Sequence, residues 1–246
     1  MIRVSTAGSV AEVWLSRPEK RNALTPDMLT GLLSALAQID ASDASVILLA
    51  GDGHAFCAGF DLALCKDHPD GSVMRALLSG LADAISALRI QRRPVVIAAH
   101  GAAVAGGCAL LGGGDIVVTN HESTMGYPVV RLGVSPAVSA PFLRLRVGPG
   151  HARELLLHTR MISGLRAAQI GLASRSVERP EDVISVARDE AARLAERPAG
   201  AIAATRALLA EIDALADSPR RALRASVELT GGDEERRLLP AAWSSR

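Results

Sequence analysis

Aromatic residues are scarce in this sequence: three Phe, two Trp and one Tyr make up 2% of 246 residues. The hydrophobic core must therefore be built mainly from Ala, Leu and Val. Cysteine is scarce too, and Cys57, Cys65 and Cys108 are too few for a disulfide framework in a chain of this length. Since stable disulfides belong mainly to oxidising compartments, we expect a cytoplasmic protein.

An excess of charge of one sign is also missing, because 27 Lys and Arg residues are balanced by 26 Asp and Glu residues, for a formal net charge of +1. A nucleic-acid partner, which a strongly basic surface would indicate, is therefore not expected. No apolar run reaches the roughly 18 residues of a membrane span. The first residues lack the apolar stretch of a signal peptide. His54 and Cys57 lie three apart without further ligands, so we expect no metal site.

Apolar runs alternate with amphipathic segments, which predicts an α/β fold with crossover helices. Thr25 and Pro26 form a suitable helix start, because Thr caps a helix and Pro fits its first position. A second amphipathic helix is expected over residues 73–88. The expected strands are residues 2–4, 10–15, 46–50, 94–99 and 116–119. The first two of these strands are expected to pair with each other.

The chain becomes helical and rich in Ala, Leu and Arg from about Pro198 onward. We therefore divide it into a core of residues 1–195 and a C-terminal helical region of residues 196–246. One apolar face of this region is formed at helical spacing by Leu208, Leu209, Ile212 and Leu215. This face packs either against its own domain or against another subunit.

Two glycine-containing loops follow predicted strands and suit the same task. The first, residues 55–62 (AFCAGFDL), follows the strand at 46–50, and the second, residues 101–107, follows the strand at 94–99. Backbone N–H groups in such loops lack partners and can point at a ligand oxygen. One N–H group from each loop can therefore hold a carbonyl oxygen as negative charge develops on it. The alternative is that the glycines only permit tight packing of strand on helix.

These loops resemble those of a known family. Residues 55–62 resemble the first oxyanion loop of the enoyl-CoA hydratase/isomerase (crotonase) superfamily. Residues 100–110 (HGAAVAGGCAL) resemble its second loop, usually written NGxxxGGGxEL. Residues 17–24 (RPEKRNAL) are similar to its third hallmark, RPxxxNAL, near the coenzyme A site. The three segments match in order and spacing, and the similarity runs over nearly the whole chain.

The resemblance implies a crotonase-like spiral of repeated ββα turns, which periodicity alone does not indicate. It also implies that the C-terminal helices form a trimerisation region, which packs against neighbouring subunits in a homotrimer or a dimer of trimers. The implied ligand is an acyl-CoA thioester, with coenzyme A as part of the substrate and no permanently bound cofactor.

By the same resemblance, the backbone N–H groups of Phe60 and Gly106 form an oxyanion hole. A helix over residues 107–111 would begin beside Gly106 and point its positive end at the thioester oxygen. Arg21 offers its charge to phosphate, or is a solvated surface side chain. For Asp61, the alternative to coenzyme A binding is that its carboxylate fixes the loop by accepting a hydrogen bond. The residues implied in coenzyme A binding are Arg21, Ala23, Leu24, Ala58, Asp61 and Leu62.

The sequence departs from the family where acid–base residues are expected. Ala109 and Val129 replace the two glutamates of the family's hydratases, and Ala137 replaces an acidic residue of some isomerases. Adding water to an enoyl thioester needs a base for the water and an acid for the α-carbon, each contributing roughly 10²–10⁴-fold. Ordinary hydration is therefore disfavoured, while isomerisation, decarboxylation and retro-aldol-like cleavage stay open.

Two other side chains are candidates for the missing chemistry. Tyr127 lies two residues before Val129 and either donates a proton or hydrogen bond, or forms a wall of the pocket. His68 follows the first loop and either reaches the substrate or belongs to a solvated loop. Two functions follow: an enzyme that stabilises the enolate of an acyl-CoA, or a binding protein that holds acyl-CoA without turnover. A structural subunit is disfavoured by the intact loops.

Overall fold

The computed structural model of the protein describes residues 1–216, 219–228 and 230–242. Strands and helices alternate through most of this range, which confirms the predicted α/β fold. The strands are β1 (Ile2–Ala7), β2 (Val10–Leu15), β3 (Val46–Gly51), β4 (Val95–Ala99), β5 (Ala102–Val104), β6 (Ile116–Asn120), β7 (Thr124–Gly126), β8 (Ile162–Ser163) and β9 (Arg175–Val177). The helices are α1 (Pro26–Asp40), α2 (Ser72–Ile90), α3 (Gly106–Leu110), α4 (Ala140–Leu157), α5 (Gly164–Gln169), α6 (Asp182–Ala195), α7 (Ala199–Ala216), α8 (Pro219–Val227) and α9 (Asp233–Leu238).

The larger of two sheets has the strand order β1-β2-β3-β4-β6-β9. β1 runs antiparallel to β2, and every other neighbouring pair is parallel. Successive side chains of β2, β3 and β4 point to opposite faces, where one set packs with α1 and α2 and the other with α6. Because helices cover both faces, these three strands are buried along their whole length.

The smaller sheet has the strand order β5-β7-β8 and lies where the strands of the larger sheet end. The segment after β3 extends this layer, because Cys57 pairs in parallel with Ala103 of β5. β3 therefore leads through Cys57 into α2, and β4 leads through β5 into α3. A long strand, a short extended segment and a helix recur in this order along the chain.

The helix boundaries agree with the sequence prediction at α1 and differ slightly elsewhere. The hydroxyl oxygen of Thr25 accepts a 3.1 Å hydrogen bond from the N–H group of Met28, and Pro26 is the first helical residue. α2 extends beyond the predicted residues 73–88 at both ends. α3 begins at Gly106, one residue earlier than predicted, because the non-helical conformation stops at Ala105.

The C-terminal helices pack on the rest of the same chain. Arg206 of α7 is 8% exposed, and its guanidinium donates to the Asp115 carboxylate at 2.9 Å and to the carbonyl oxygens of Gln91 and Leu88. In α8, the hydroxyl oxygen of Ser226 accepts a 2.8 Å hydrogen bond from the N–H group of Val138. These contacts attach the C-terminal region to the core by buried polar groups.

The predicted apolar face of α7 stays largely exposed. Leu208, Leu209 and Ile212 are 57%, 52% and 52% exposed. The side chain of Leu215 and residues 243–246 lie outside the described residues. The three exposed side chains therefore do not pack into the core of the chain as far as the structure describes it.

Replacing Arg206 by Met should lower the free energy of unfolding by about 2 kcal/mol, because two carbonyl groups and Asp115 lose a buried donor. Urea unfolding at fixed protein concentration measures the change. Arg224→Met is the matched control, since the side chain of Arg224 is 82% exposed and pairs with Glu228 at the surface. A loss for Arg206→Met no larger than that for the control would contradict a role for Arg206 in attaching α7.

Candidate functional site

A cavity of about 130 Å³ lies between the two glycine-containing loops and α2. Most of its wall is apolar. The wall residues outside the region from Tyr127 to Ser139 are Ala58, Phe60, Leu62, Met74, Leu78, Leu81, Val104, Ala105 and Gly106. The cavity therefore contains both residues that the sequence predicts as N–H donors, Phe60 and Gly106.

The two loops run side by side in a defined register. The N–H group of Cys57 donates to the carbonyl oxygen of Ala102, and the N–H group of Val104 donates to that of Cys57, both at 3.0 Å. Cys57 lies opposite Ala103, and further along the loops Gly106 lies beside Phe60, because a Cβ atom built on Gly106 would lie 3.0 Å from the Phe60 ring. The carbon of a methyl group built on Gly59 would lie 3.7 Å from the backbone nitrogen of Gly106.

The N–H groups of Phe60 and Gly106 are unpaired, since no hydrogen bond within residues 1–216, 219–228 and 230–242 uses them. Neighbouring N–H groups are paired: that of Asp61 donates to Leu24 and that of Ala105 to Gly126. Gly106 is the first residue of α3, where an N–H group has no acceptor within the helix. Two unpaired N–H donors therefore stand among the residues that line the cavity.

Close packing of the loops requires glycine at Gly107 and strains the backbone at Ala105. A Cβ atom on Gly107 would lie 2.8 Å from the Cβ atom of Cys57 and overlap the Cys57 carbonyl group. At Gly107 packing by itself therefore explains the glycine. Ala105 has φ +50° and ψ −112°, a conformation that costs a non-glycine residue roughly 1–3 kcal/mol.

Asn22 fixes the first loop from the segment of residues 17–24. Its side chain is fully buried. Its amide group donates to the carbonyl oxygens of Asp52 and Ala55, both at 2.9 Å, and its amide oxygen accepts from the N–H group of Arg17 at 2.8 Å. Asn22 therefore ties the turn after β3 to the chain that follows β2.

Asp61 and Leu24 also hold the loop in place. The buried carboxylate of Asp61 forms an ion pair of 2.7 Å with the guanidinium of Arg17. The backbone of Leu24 pairs with Phe60: its N–H group donates to Gly59 at 2.7 Å, and its carbonyl oxygen accepts from Asp61 at 2.9 Å. Asp61 and Leu24 thus set the position of the unpaired Phe60 N–H group.

The other predicted coenzyme-binding residues lie around the same loop. The carbonyl oxygen of Arg21 accepts a 2.9 Å hydrogen bond from the N–H group of Ala58, a residue that lines the cavity together with Leu62. The carbonyl oxygen of Ala23 accepts from the guanidinium of Arg17 at 3.1 Å. Arg21 is exposed and forms no ion pair within the described chain.

Tyr127 is brought to the cavity as a buried wall residue. Burial raises the pKa of the phenol well above its ordinary value, with the neighbouring Cys108 adding to the shift and Ser139 opposing it. The phenol therefore stays protonated and is a poor proton donor. Burial also raises the pKa of the Cys108 thiol to about 11, which excludes a thiolate at neutral pH.

The positions of the family's acid–base residues carry no ionisable group. Val129 lines the cavity, while Ala109 is buried one helical turn after Ala105. Among the described residues that line the cavity, none is Asp, Glu, His, Lys or Arg. Its polar side chains are Tyr127, Ser135 and Ser139. The cavity can hold a polarised carbonyl group but offers no side chain that ionises near neutral pH.

His68 is not brought together with Phe60 and Gly106. It is exposed and lines a separate cavity of about 190 Å³ with Cys65 and Lys66. Gly71, with φ +72°, turns the chain between His68 and the start of α2 and leaves His68 outside the first cavity. Of the two candidates for the missing chemistry, only Tyr127 lines that cavity within the described chain.

Metal and membrane sites receive no support from the geometry. In the part of the chain that the structure describes, no three His, Cys, Asp or Glu side chains are arranged to hold a metal ion. No described helix combines the length and the hydropathy needed to cross a membrane.

The paired loops belong to a known family. Its model, described as enoyl-CoA hydratase/isomerase, matches residues 5–230. The chain belongs to the enoyl-CoA hydratase/isomerase family. A Thermus thermophilus relative that carries the name of an enoyl-CoA hydratase is 33% identical over 209 residues, 82% of this chain and 81% of the relative. The peroxisomal Δ(3,5)-Δ(2,4)-dienoyl-CoA isomerase of Arabidopsis thaliana is 32% identical over 188 residues, 71% of this chain and 68% of the isomerase.

Solved structures share the fold of this enoyl-CoA hydratase/isomerase family member. The crystal structure of an enoyl-CoA hydratase/isomerase from Mycobacterium paratuberculosis has a TM-score of 0.88 at 26% identity, covering 98% of this chain and 97% of the other. The family predicted from three short segments is therefore confirmed over the length of the chain.

Sequence reasoning assigned no role to several residues that shape this family member's site. Arg17 and Asn22 stand in the RPEKRNAL segment, and their partners lie up to 44 positions away, at Asp61 and Ala55. Asn22 has a φ of +54°, a conformation that asparagine adopts more readily than most residues. This conformation is the one local feature that points to Asn22. Ser139 is identified only as a neighbour of the Tyr127 phenol.

Replacing Gly107 by Ala should lower the free energy of unfolding by roughly 1–3 kcal/mol, because the new methyl group overlaps the backbone of Cys57. Thermal or urea unfolding measures the loss. Gly200→Ala in α7 is the matched control, since a methyl group there would meet nothing within 4 Å and favours a helix. If both variants are as stable as the unaltered protein, the loops are not as closely packed as described.

Proposed function

We propose that this protein binds an acyl-CoA thioester and stabilises its enolate through an oxyanion hole formed by the N–H groups of Phe60 and Gly106. The observation that carries the proposal is that these two unpaired donors line one apolar cavity. A thioester oxygen accepts both hydrogen bonds more strongly as it gains negative charge. Each donor of this kind contributes roughly 2.7–4 kcal/mol in the transition state.

Coenzyme A recognition is proposed at the segment that supports the first loop. Arg21 is exposed and without an ion pair in the described chain, and its backbone is bonded to Ala58 at the cavity. A guanidinium in this place suits a phosphate of coenzyme A. Ala23, Leu24, Asp61 and Leu62 would support this site mainly through the backbone and the Arg17 pair. Coenzyme A enters as part of the substrate, and no permanently bound cofactor is proposed.

The reaction is proposed to differ from ordinary hydration. Relatives carry the names of hydratases and of a dienoyl-CoA isomerase. Hydration by two glutamates is disfavoured here, because Ala109 and Val129 stand at their positions and the Tyr127 phenol is a weak acid. Isomerisation, decarboxylation and retro-aldol-like cleavage all pass through an enolate and remain the candidate reactions.

A second candidate function is a non-catalytic protein that binds acyl-CoA. It is favoured by the lack of any Asp, Glu, His, Lys or Arg among the described residues that line the cavity. The two functions differ in the rate at which the bound ligand loses its α-proton. An oxyanion hole that stabilises the enolate accelerates this loss even to solvent.

The assembly is proposed to follow the family pattern. The ββα repeat would wind as a spiral, and the exposed face of Leu208, Leu209 and Ile212 on α7 would contact a second copy in a homotrimer or a dimer of trimers. Three exposed large apolar side chains on one helix are typical of an interaction surface. A cytoplasmic location is proposed from the three reduced cysteines.

We expect acyl-CoA to bind and its α-hydrogen to exchange with deuterated water faster than in free solution, while crotonyl-CoA is hydrated slowly or not at all. Calorimetry measures binding, and mass spectrometry measures exchange. Converting Ala109 and Val129 together to Glu should raise hydration, and Ala76→Glu on the exposed side of α2 is the control.

The outcomes separate the two functions. Binding with exchange at the free-solution rate would favour the non-catalytic protein over the enzyme. Efficient hydration that persists in Tyr127→Phe and His68→Ala would refute the claim that the missing glutamates matter. A folded oligomer that binds no acyl-CoA would exclude both functions.

A further inference from the structure

A second cavity, of about 190 Å³, lies between the loop before α2 and the C-terminal elements. Its wall includes Cys65, Lys66 and His68 on one side and Glu235 and Arg236 of α9 on the other. Met74 of α2 lines this cavity and also lines the one that contains Phe60 and Gly106. The two cavities are therefore neighbours that share one flexible side chain as a wall.

The second cavity contains a buried carboxylate whose hydrogen bonding is incomplete. Glu235 is 4% exposed. Its Oε2 atom accepts a hydrogen bond from the N–H group of Gly231, whereas its Oε1 atom is buried and has no partner among the described residues. A buried acceptor without a donor is destabilising, so this site suits a ligand that supplies a donor.

The backbone around Glu235 is held against the first cavity as well. A methyl group on Gly133 would lie 2.8 Å from the backbone nitrogen of Glu235. The residues on either side of Gly133, Leu132 and Val134, line the first cavity. The unpaired carboxylate oxygen thus lies where the C-terminal region packs against the proposed acyl cavity.

The charges around Glu235 select the kind of donor. Lys66 and Arg236 line the same cavity, so a cationic group would be attracted by the Glu235 carboxylate but would meet two positive charges. An anionic group would meet the carboxylate of Glu235. A neutral hydroxyl group avoids both costs and can donate to Oε1.

We propose that Glu235 is a specificity residue that accepts a hydrogen bond from a hydroxyl group at the far end of the acyl chain. The chain would lie in the apolar cavity, pass Met74 and place its terminal hydroxyl in the second cavity. This inference rests on the proposed binding of an acyl-CoA thioester.

Dissociation constants for straight-chain acyl-CoAs from butyryl to dodecanoyl, compared with their ω-hydroxy counterparts, test the proposal in the unaltered protein. At the lengths that reach Glu235, the hydroxylated ligand should bind on the order of tenfold more tightly than its methyl counterpart, as expected for a hydrogen bond to a charged acceptor. Glu235→Met should abolish the preference. Glu234→Met, at an exposed neighbouring position, should retain it.

Two results would overturn the inference alone: equal or weaker binding of the hydroxylated ligand at every length, or a preference that survives in Glu235→Met. The first would assign the free oxygen of Glu235 to solvent water. The comparison of ligands in the unaltered protein decides the matter even if Glu235→Met does not fold. Failure of every acyl-CoA to bind would overturn the proposed function together with the inference.

Discussion

The site depends on the parallel contact between the chain after β3 and the chain after β4. Cys57 and Ala103 pair in this contact, and Gly107 lets the backbones approach without a side chain between them. Further along the two loops, Gly106 lies beside the ring of Phe60. Because Gly106 is also the first residue of α3, its N–H group is left unpaired. The two unpaired donors of the proposed oxyanion hole therefore follow from a packing constraint on the backbone.

The same constraint explains why the site can keep its binding geometry while its acid–base residues vary. The donors are backbone groups held by Asn22, the Arg17–Asp61 pair and the strand pairing of Leu24. Side chains such as Ala109 and Val129 take no part in this support. A protein of this design can lose its proton-transferring groups without losing the backbone donors, and for this reason we propose that the cavity holds a thioester oxygen.

The longer strands, α1, α2 and the two loops could be predicted from the sequence because their signals are local, whereas the short strands β5, β7, β8 and β9 were not predicted. A buried strand next to a glycine-containing turn is visible within about ten residues, and Thr25-Pro26 marks a helix start by itself. The two donor positions followed from resemblance, since glycine spacing within one loop does not indicate which other loop lies beside it.

The polar groups of the site could not be predicted in the same way, because their environment depends on distant segments. Tyr127 becomes a buried wall residue through Ser139 and Cys108, while the turn at Gly71 leaves His68 outside the cavity. Glu235 stands in a run of charged residues, 233–237, yet packing of α9 beside Gly133 buries it. In each case the decisive contact joins residues that are far apart in sequence or in different elements.

The central claim is that two backbone N–H groups polarise a thioester oxygen, and isotope-edited infrared spectroscopy of an acyl-CoA labelled with carbon-13 at the thioester carbonyl tests it most directly. We expect the carbonyl stretch to move to lower frequency on binding. The shift should persist in Tyr127→Phe, because the donors are the backbone groups of Phe60 and Gly106. A bound thioester whose stretch stays at its free-solution frequency would contradict the account.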